Sequence, residues 1–434
     1  MILAGILTIF LGLLVFGVPV VFSLVLASGI PLLFDSHVHL NQMASIILQQ
    51  FRSFTLLAIP LFIFCGKLLQ LSDVADDLIY MSRAFIGKLR GDLAHINVMT
   101  SIFFAGISGS SVADVASLGS IIIPAMKKKG YSPEFSATLT SASATIGSII
   151  PPSILMIVYG SIAQTSIAAL FIGGIIPGVV IGLSQMVYSY FYAVKNNIGQ
   201  SSGEMIGDAP VEELSIWVAL KKGFFPMSIF VVIIGGILTG VFTPTEAAGI
   251  AVMYILLVNI FIKKKRDFKQ YYEVTKKSVI ESATIFVLIA VASFFSWILT
   301  YYKVMIPIIN AVKSADLSAP VFLIIVTLIY LLIGTFMEPA SAMLIFVPLL
   351  MPVMNLLNIN PTVAGIITVM AIRVGTVTPP YGLSTLMAAK IAQTSVVKMM
   401  RHICLFVGVY VLMLILMIYV QDIILILPNI FLGA

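Results

Sequence analysis

The residues able to do chemistry in this chain are few, and four of them stand beside sequence that cannot hold a helix. Arg373 precedes Val374-Gly375-Thr376-Val377-Thr378-Pro379-Pro380, and Glu338 lies between Gly334-Thr335-Phe336-Met337 and Pro339. Asp114 follows Ser108-Gly109-Ser110-Ser111, and Thr145 opens Thr145-Ile146-Gly147-Ser148-Ile149-Ile150-Pro151-Pro152. Tandem prolines remove two N–H donors and clash with the preceding turn, and the residue before them is pushed to an extended conformation. Glycine permits turns and serine competes for backbone hydrogen bonds, so 104–114 and 334–339 read as hairpin tips. Backbone released in this way offers carbonyl oxygens, which with hydroxyls suit a hard cation such as Na⁺. The positive ends of half-helices suit an anion. A guanidinium at Arg373 can take a carboxylate in a bidentate manner; pairing with Glu338 or Asp114 is the competing reading. Asp114 also suits the first turn of a half-helix. Glu246 reads better as the third residue of a capping box begun by Thr243-Pro244.

The elements that carry these breaks are set by composition. The chain has 434 residues, 60% hydrophobic and 10% charged, with mean hydropathy +1.12. Soluble domains carry about 25% charged residues, so a soluble fold is excluded. A helix crosses the hydrocarbon with about 20 apolar residues. Segment 1–34 lacks a basic leader and a small-residue cleavage site, so a retained helix is expected there. The net charge of +6 marks cytoplasmic loops, not nucleic-acid binding. Placing the basic clusters 83–90, 127–129, 263–277 and 398–401 in the cytoplasm makes 92–127 and 319–355 re-entrant hairpins. Nine crossings remain: 1–34, 45–71, 133–163, 167–193, 222–241, 244–262, 278–300, 361–393 and 403–427. The N-terminus is then cytoplasmic and the C-terminus periplasmic, with 196–213 a cytoplasmic linker. Cys65 and Cys404 lie in apolar segments and are expected to be buried and inert.

The two halves repeat at a constant offset of 228 (334 − 106, for instance), which aligns Gly106 with Gly334 and Gly147 with Gly375. The same offset aligns Pro124, Pro133, Pro151 and Pro152 with Pro352, Pro361, Pro379 and Pro380. Over about 50 positions chance gives roughly 0.1 such proline matches. Helix 45–71 and its counterpart 278–300 run in opposite directions, so the repeats are inverted, a pattern of secondary transporters with midplane sites. The expected fold is therefore an all-α polytopic membrane protein, one integral unit over 1–434. Its first inverted repeat is 45–163 (hairpin 92–127), its connecting or scaffold helices 164–277, its second repeat 278–395 (hairpin 319–355) and its C-terminal helix 396–434. At the aligned positions Ser110 and Thr145 face Glu338 and Arg373, an asymmetry where substrate choice is expected. Packing kinks are the plainer reading of a single Pro-Pro; four breaks in two matched pairs favour a binding region. No GxxxxGK[ST] loop occurs, so an ion gradient is the expected energy source, and no nucleophile–base pair or His-rich cluster supports an intramembrane enzyme.

The runs 106–135, 145–160, 235–254, 334–353 and 374–383 together resemble the large membrane subunit of tripartite ATP-independent periplasmic (TRAP) transporters over nearly the whole chain. The resemblance implies Na⁺-coupled uptake of an organic acid across the bacterial inner membrane by an elevator movement of hairpins and broken helices. It implies two partners: a periplasmic substrate-binding protein (P type) and a small four-helix membrane subunit (Q type) on a separate polypeptide. At least two Na⁺ sites are implied. One lies between Ser108 and Ser110 of the first tip and Thr145, Gly147 and Ile150 of the first break. The other lies between Gly334 and Glu338 of the second tip and Gly375 and Thr378 of the second break. Substrate contacts are expected from Arg373, Ser110, Ser111, Thr376 and Glu338. Glu338 stands where Asp is expected in many members, and Arg373 where dicarboxylate-type members have an apolar or small residue. That departure tilts the expected substrate from a C4-dicarboxylate toward a larger acid such as sialic acid. A stand-alone ion–anion symporter or antiporter of related fold is the alternative.

Overall fold

A computed structural model describes residues 2–35, 37–72, 74–86, 89–108, 111–198, 216–379 and 382–433, with all their side chains except those of 2–4, 7, 15, 31, 32, 34, 105–108 and 113. Ser110 and most of the expected linker lie outside the described residues. In chain order the helices are α1 (Ile2–Val15), α2 (Val20–Phe34), α3 (Leu40–Phe51), α4 (Ala58–Gln70), α5 (Val74–Ile86), α6 (Asp92–Ser108), α7 (Ser111–Lys128), α8 (Pro133–Ala144), α9 (Ile154–Ala163) and α10 (Ile167–Lys195). There follow α11 (Ile216–Leu238), α12 (Pro244–Leu257, prolonged by a π turn), α13 (Phe268–Tyr301), α14 (Met305–Ser314), α15 (Ala319–Gly334), α16 (Pro339–Leu356), α17 (Pro361–Gly375), α18 (Leu383–Ala392), α19 (Val396–Tyr419) and α20 (Asp422–Leu432). The chain is an all-α, multi-span membrane protein. Among the described residues six helices are long and apolar enough to cross a membrane: α10, α11, α12 with its π turn, α13, α16 and α19. The pair α3–α4, bent by 56°, makes a seventh.

Several expected crossings are divided. Segment 1–34 is two helices and not one, because Gly17 at φ +77° ends α1. The Val18 N–H returns to the Leu13 carbonyl there, and Pro19 cannot continue the ladder. The parity that put the N-terminus in the cytoplasm therefore does not follow from that segment. Segment 403–427 is likewise divided between α19 and α20. α19 starts at Val396, seven residues before the expected crossing (403 − 396), because Ser395 caps it, accepting from the Lys398 N–H. α13 begins ten residues before 278, at Phe268; its 34 residues span about 51 Å at 1.5 Å each, more than the hydrocarbon needs. Cys65 is buried as expected, but Cys404 is exposed on α19.

The breaks at 145–153 and 376–382 fall between α8 and α9 and between α17 and α18. The matched halves carry matched caps. α7 and α16 are both 18 residues long. α8 and α17 both begin on proline after Ser132 and Asn360, whose side chains accept from first-turn amides. α9 and α18 both end on left-handed glutamines, Gln164 and Gln393, and Ser166 and Ser395 then cap α10 and α19.

Packing groups the helices around these breaks. α13 packs on α2, α3 and α4, and α4 on α12, with α11 against α5 and α12. Ion pairs fasten this group: Lys67 to Glu281 at 2.7 Å and Lys263 to Asp77 at 2.6 Å. A buried Asn259 accepts from Ser72 Oγ at 2.6 Å and donates to the Leu68 carbonyl at 3.1 Å. The second group crosses the two halves: α8 packs on α7 and α18, and α9 on α16 and α17. Ser141 of α8 meets Thr385 of α18 at 2.9 Å, and Tyr159 of α9 donates to the Pro361 carbonyl at 3.1 Å. α10 lies along α6, α17 and α20.

Candidate functional site

Where the two pairs of half-helices meet, a cavity of about 340 Å³ is lined by Gly334, Glu338, Arg373 and Thr376. Its walls also include Val112 of α7, Ile154 and Leu155 of α9, Pro339 and Ala340 of α16, and Leu383 and Ser384 of α18. Each of these belongs to the first turn of its helix. Four helix N-termini therefore converge on one cavity, because each tip or break restarts a helix there. Every N-terminus carries unpaired N–H groups and about half a positive charge. The far wall is α13, through Glu281 and Ile285.

Arg373 is the fixed cation of this cavity. It lies on the last turn of α17, within electrostatic range of Glu338 and then Asp114. Its Nε is buried and finds no hydrogen-bond partner among the described residues. A buried donor without a partner is unfavourable by about 1–3 kcal/mol, so this geometry is suited to an acceptor that arrives with a ligand. Glu338 caps α16: its Oε2 accepts from the Ser341 N–H at 2.9 Å and the Ser341 hydroxyl at 3.1 Å. Asp114 is buried in the first turn of α7. Glu281 is neutralised by its ion pair with Lys67, and one guanidinium against the remaining two carboxylates leaves the side-chain charge of the site net negative.

The second tip and second break are in direct contact. A Cβ at Gly334 would stand 2.4 Å from the Ile372 carbonyl oxygen, and one at Gly375 would stand 2.7 Å from Gly334 Cα. Glycine at both positions is what lets the two backbones touch. Thr376 and Thr378 donate to the Arg373 and Val374 carbonyls at 2.7 and 2.9 Å, so their oxygens keep free lone pairs. Thr385, which the sequence reading did not single out, donates to the Val377 carbonyl at 2.9 Å and fixes the unwound segment.

The first break is different: residues 145–153 are buried. Ser111 and Ser148 meet at 3.4 Å, joining first tip to first break. Thr145 is hydrogen-bonded to the Tyr410 hydroxyl. Tyr410 donates to the Ala142 carbonyl at 2.9 Å and accepts from Gln185 Nε2 at 2.9 Å. Ile150 makes a backbone bond to Ile146 at 2.9 Å, and Gly147 lies in the intervening 3-10 turn. α10 seats this break on a glycine stripe: a Cβ at Gly174 would meet the Ile149 carbonyl oxygen at 2.3 Å, and one at Gly178 would meet Ile150 Cγ1 at 2.3 Å. Gln185, Tyr410 and the stripe were not singled out from the sequence. The four-residue spacing of Gly174, Gly178 and Gly182 is the signal that marks the stripe. Ser108 ends α6 with its side chain undescribed, and Ser110 lies outside the described residues. Glu246 caps α12 as expected, accepting from the Thr243 N–H at 2.8 Å. Among the described residues no group of three or more His, Cys, Asp or Glu is arranged to hold a metal ion.

Comparison with known proteins agrees with this architecture. Residues 7–423 match the family described as "Tripartite ATP-independent periplasmic transporter, DctM component". The chain is 31% identical over 425 residues to the sialic acid TRAP transporter large permease protein SiaM of Vibrio cholerae, covering 98% of this chain and 97% of that one. It is 33% identical to the isethionate TRAP transporter permease protein DctMQ of Oleidesulfovibrio alaskensis, covering 94% of this chain but spanning only 64% of that relative's length. The solved structure of the YdaH transporter of Alcanivorax borkumensis superposes with a TM-score of 0.61 at 15% identity, over 89% of this chain and 90% of that one. This last likeness is one of fold.

Proposed function

Because the chain belongs to the DctM component family of tripartite ATP-independent periplasmic transporters, we propose that it is the large permease subunit for Na⁺-coupled uptake of an organic acid anion across the bacterial inner membrane. It is a transport protein and not an enzyme. The observation that carries the reading is the cavity in which four helix N-termini converge on the half-buried Arg373, whose buried Nε lacks a partner among the described residues. Such a site stabilises a carboxylate through dipoles and charge-assisted hydrogen bonds together. Relatives named for sialic acid and isethionate support an acid as cargo, and Arg373 favours the sialic acid class over a C4-dicarboxylate. Thr376, Glu338 and Ser111 complete the substrate side, with Ser110 beside them in sequence.

Na⁺ supplies what the side chains lack. Two carboxylates against one cation partly oppose the attraction of the four helix N-termini for an anion, and bound cations offset that excess of negative side-chain charge. The first Na⁺ site uses oxygens of Ser108, Ser110, Thr145, Gly147 and Ile150; the second uses Gly334, Glu338, Gly375 and Thr378. The contact of Gly334 with Gly375 and of Ser111 with Ser148 supports this pairing of tip with break. The halves act as inverted repeats, with α6–α9 and α15–α20 moving as an elevator against α1–α5 and α11–α14; α10, expected among the scaffold helices, is grouped with the moving helices because it packs on α6, α17 and α20. The cytoplasmic side is that of the basic clusters, and the C-terminus is periplasmic. A Q-type membrane subunit and a P-type periplasmic binding protein complete the transporter.

The test is uptake by proteoliposomes carrying all three components. Losing the charge-assisted bonds of Arg373 removes about 1.5–3 kcal/mol, so Arg373→Ala raises the KM for the acid by about 10–150-fold. Arg373→Lys recovers part of that loss, because it keeps the charge without the fork. Unchanged KM in a variant of native thermal stability refutes the anchor. Uptake by this chain without the binding protein would favour the stand-alone symporter.

A further inference from the structure

A cavity of about 310 Å³ that shares no lining residue with the substrate site lies between the C-terminal end of α10 and the first turns of α19. Its polar lining is Lys195, Asn196, Arg401 and His402. No carboxylate of the described residues lines it. Glu134, which acts electrostatically on His402 from outside the lining, accepts from Thr394 at 2.8 Å and lies in the field of Lys398. Lys195 and Arg401 are exposed, and neither is ion-paired among the described residues. His402 is held by the Tyr188 hydroxyl at 3.2 Å from Nδ1, so its ring is a fixed part of the wall. The remaining rim is apolar: Phe191 is 64% and Leu405 47% exposed on helices that are long enough to span the membrane.

Two cations, an amide and an imidazole above an apolar rim match one kind of ligand, an anionic headgroup attached to acyl chains. The depth agrees. The cavity lies at helix ends where basic residues gather, the level of phospholipid phosphates on the cytoplasmic face. We propose that this cavity binds the phosphate of an anionic phospholipid, with Lys195 and Arg401 on the phosphate and Phe191 and Leu405 along an acyl chain. The bound lipid bridges α10 and α19, the two helices that clamp the first break through Gln185 and Tyr410.

The test uses the purified, delipidated full chain in zwitterionic detergent and follows its thermal unfolding on titration with phosphatidylglycerol, phosphatidylcholine or inorganic phosphate. Phosphatidylglycerol raises the unfolding temperature of the native chain, and phosphatidylcholine does not. In the double variant Lys195→Ala/Arg401→Ala, half-saturation moves to about 30-fold higher lipid, from about fivefold for each cation removed near a membrane surface. The starting unfolding temperature of the variant, measured without lipid, controls for folding. An equal response of variant and native chain overturns the proposal. Inorganic phosphate acting as strongly as phosphatidylglycerol overturns the lipid as the ligand. Native mass spectrometry provides a second readout: phosphatidylglycerol adducts persist on the native chain and are lost from Lys195→Gln/Arg401→Gln.

Discussion

Replacing Gly375 by alanine places one methyl group where the second tip meets the second break. That methyl would stand 2.5 Å from the Leu331 carbonyl oxygen, 2.7 Å from Gly334 Cα and 2.8 Å from the Gly334 carbonyl carbon. All three neighbours are backbone, so no side chain can rotate away, and α15 must retreat from α17. Overpacking of this kind is unfavourable by about 1–3 kcal/mol. At about 2 kcal/mol the closed tip-to-break arrangement falls roughly 30-fold in population relative to an open one. Any Na⁺ site built across that contact weakens by the same factor. The assay is Na⁺-dependent uptake in the three-component proteoliposome, with half-saturating Na⁺ as the readout and thermal unfolding as the control. Gly249→Ala serves as the neutral comparison, since nothing lies within 4 Å of its would-be Cβ. Half-saturating Na⁺ that is unchanged in Gly375→Ala refutes the argument that this glycine pair forms the second cation site.

Three further outcomes follow from the same geometry. Tyr410→Phe removes the hydroxyl that joins Thr145, the Ala142 carbonyl and Gln185; it lowers stability by about 1–3 kcal/mol, read as an earlier thermal transition in detergent. Gly174→Ala drives a methyl to 2.3 Å from the Ile149 carbonyl oxygen and lowers both stability and uptake, whereas native values for both would show that α10 does not seat the first break. Thr243→Ala breaks the capping box of α12 and removes about 0.5–2 kcal/mol; uptake at saturating substrate stays native because the cap is remote from the cavity, and a loss of uptake would tie α12 to transport.

Local chemistry was legible in the sequence wherever one residue type decides the backbone. The tandem prolines at 151–152 and 379–380 fixed the positions of both breaks, and Thr243-Pro244-Thr245-Glu246 fixed the start of α12. The 228-residue offset was visible because both halves place proline at the same helix starts and breaks, Pro133 and Pro361 among them. Division of 1–34 was less legible: Gly17 and Pro19 are tolerated as kinks in membrane helices, and only the left-handed Gly17 shows that α1 stops. The first break's polar clamp was hidden because its partners are distant in sequence. Thr145 and Tyr410 are 265 residues apart, and Gln185 and Tyr410 are 225 apart. Nothing in the local pattern of α19 distinguishes Tyr410 from a tyrosine facing lipid. The asymmetry of the site was legible as Glu338 and Arg373 against Ser110 and Thr145. Its consequence, a cavity at the second break and close packing at the first, depends on contacts distant in sequence: Gly174 and Gly178 under Ile149 and Ile150, and Tyr410 on Thr145.

The site is net negative in its own side chains, and in the proposed mechanism it accepts an anion once cations are bound. Initial uptake of the radiolabelled acid by three-component proteoliposomes, with external Na⁺ varied at constant ionic strength, tests this most directly. The account predicts no concentrative uptake when K⁺ replaces Na⁺, and a sigmoidal rise with Na⁺ that reflects more than one coupled ion. Uptake of equal rate and extent in K⁺ would contradict it.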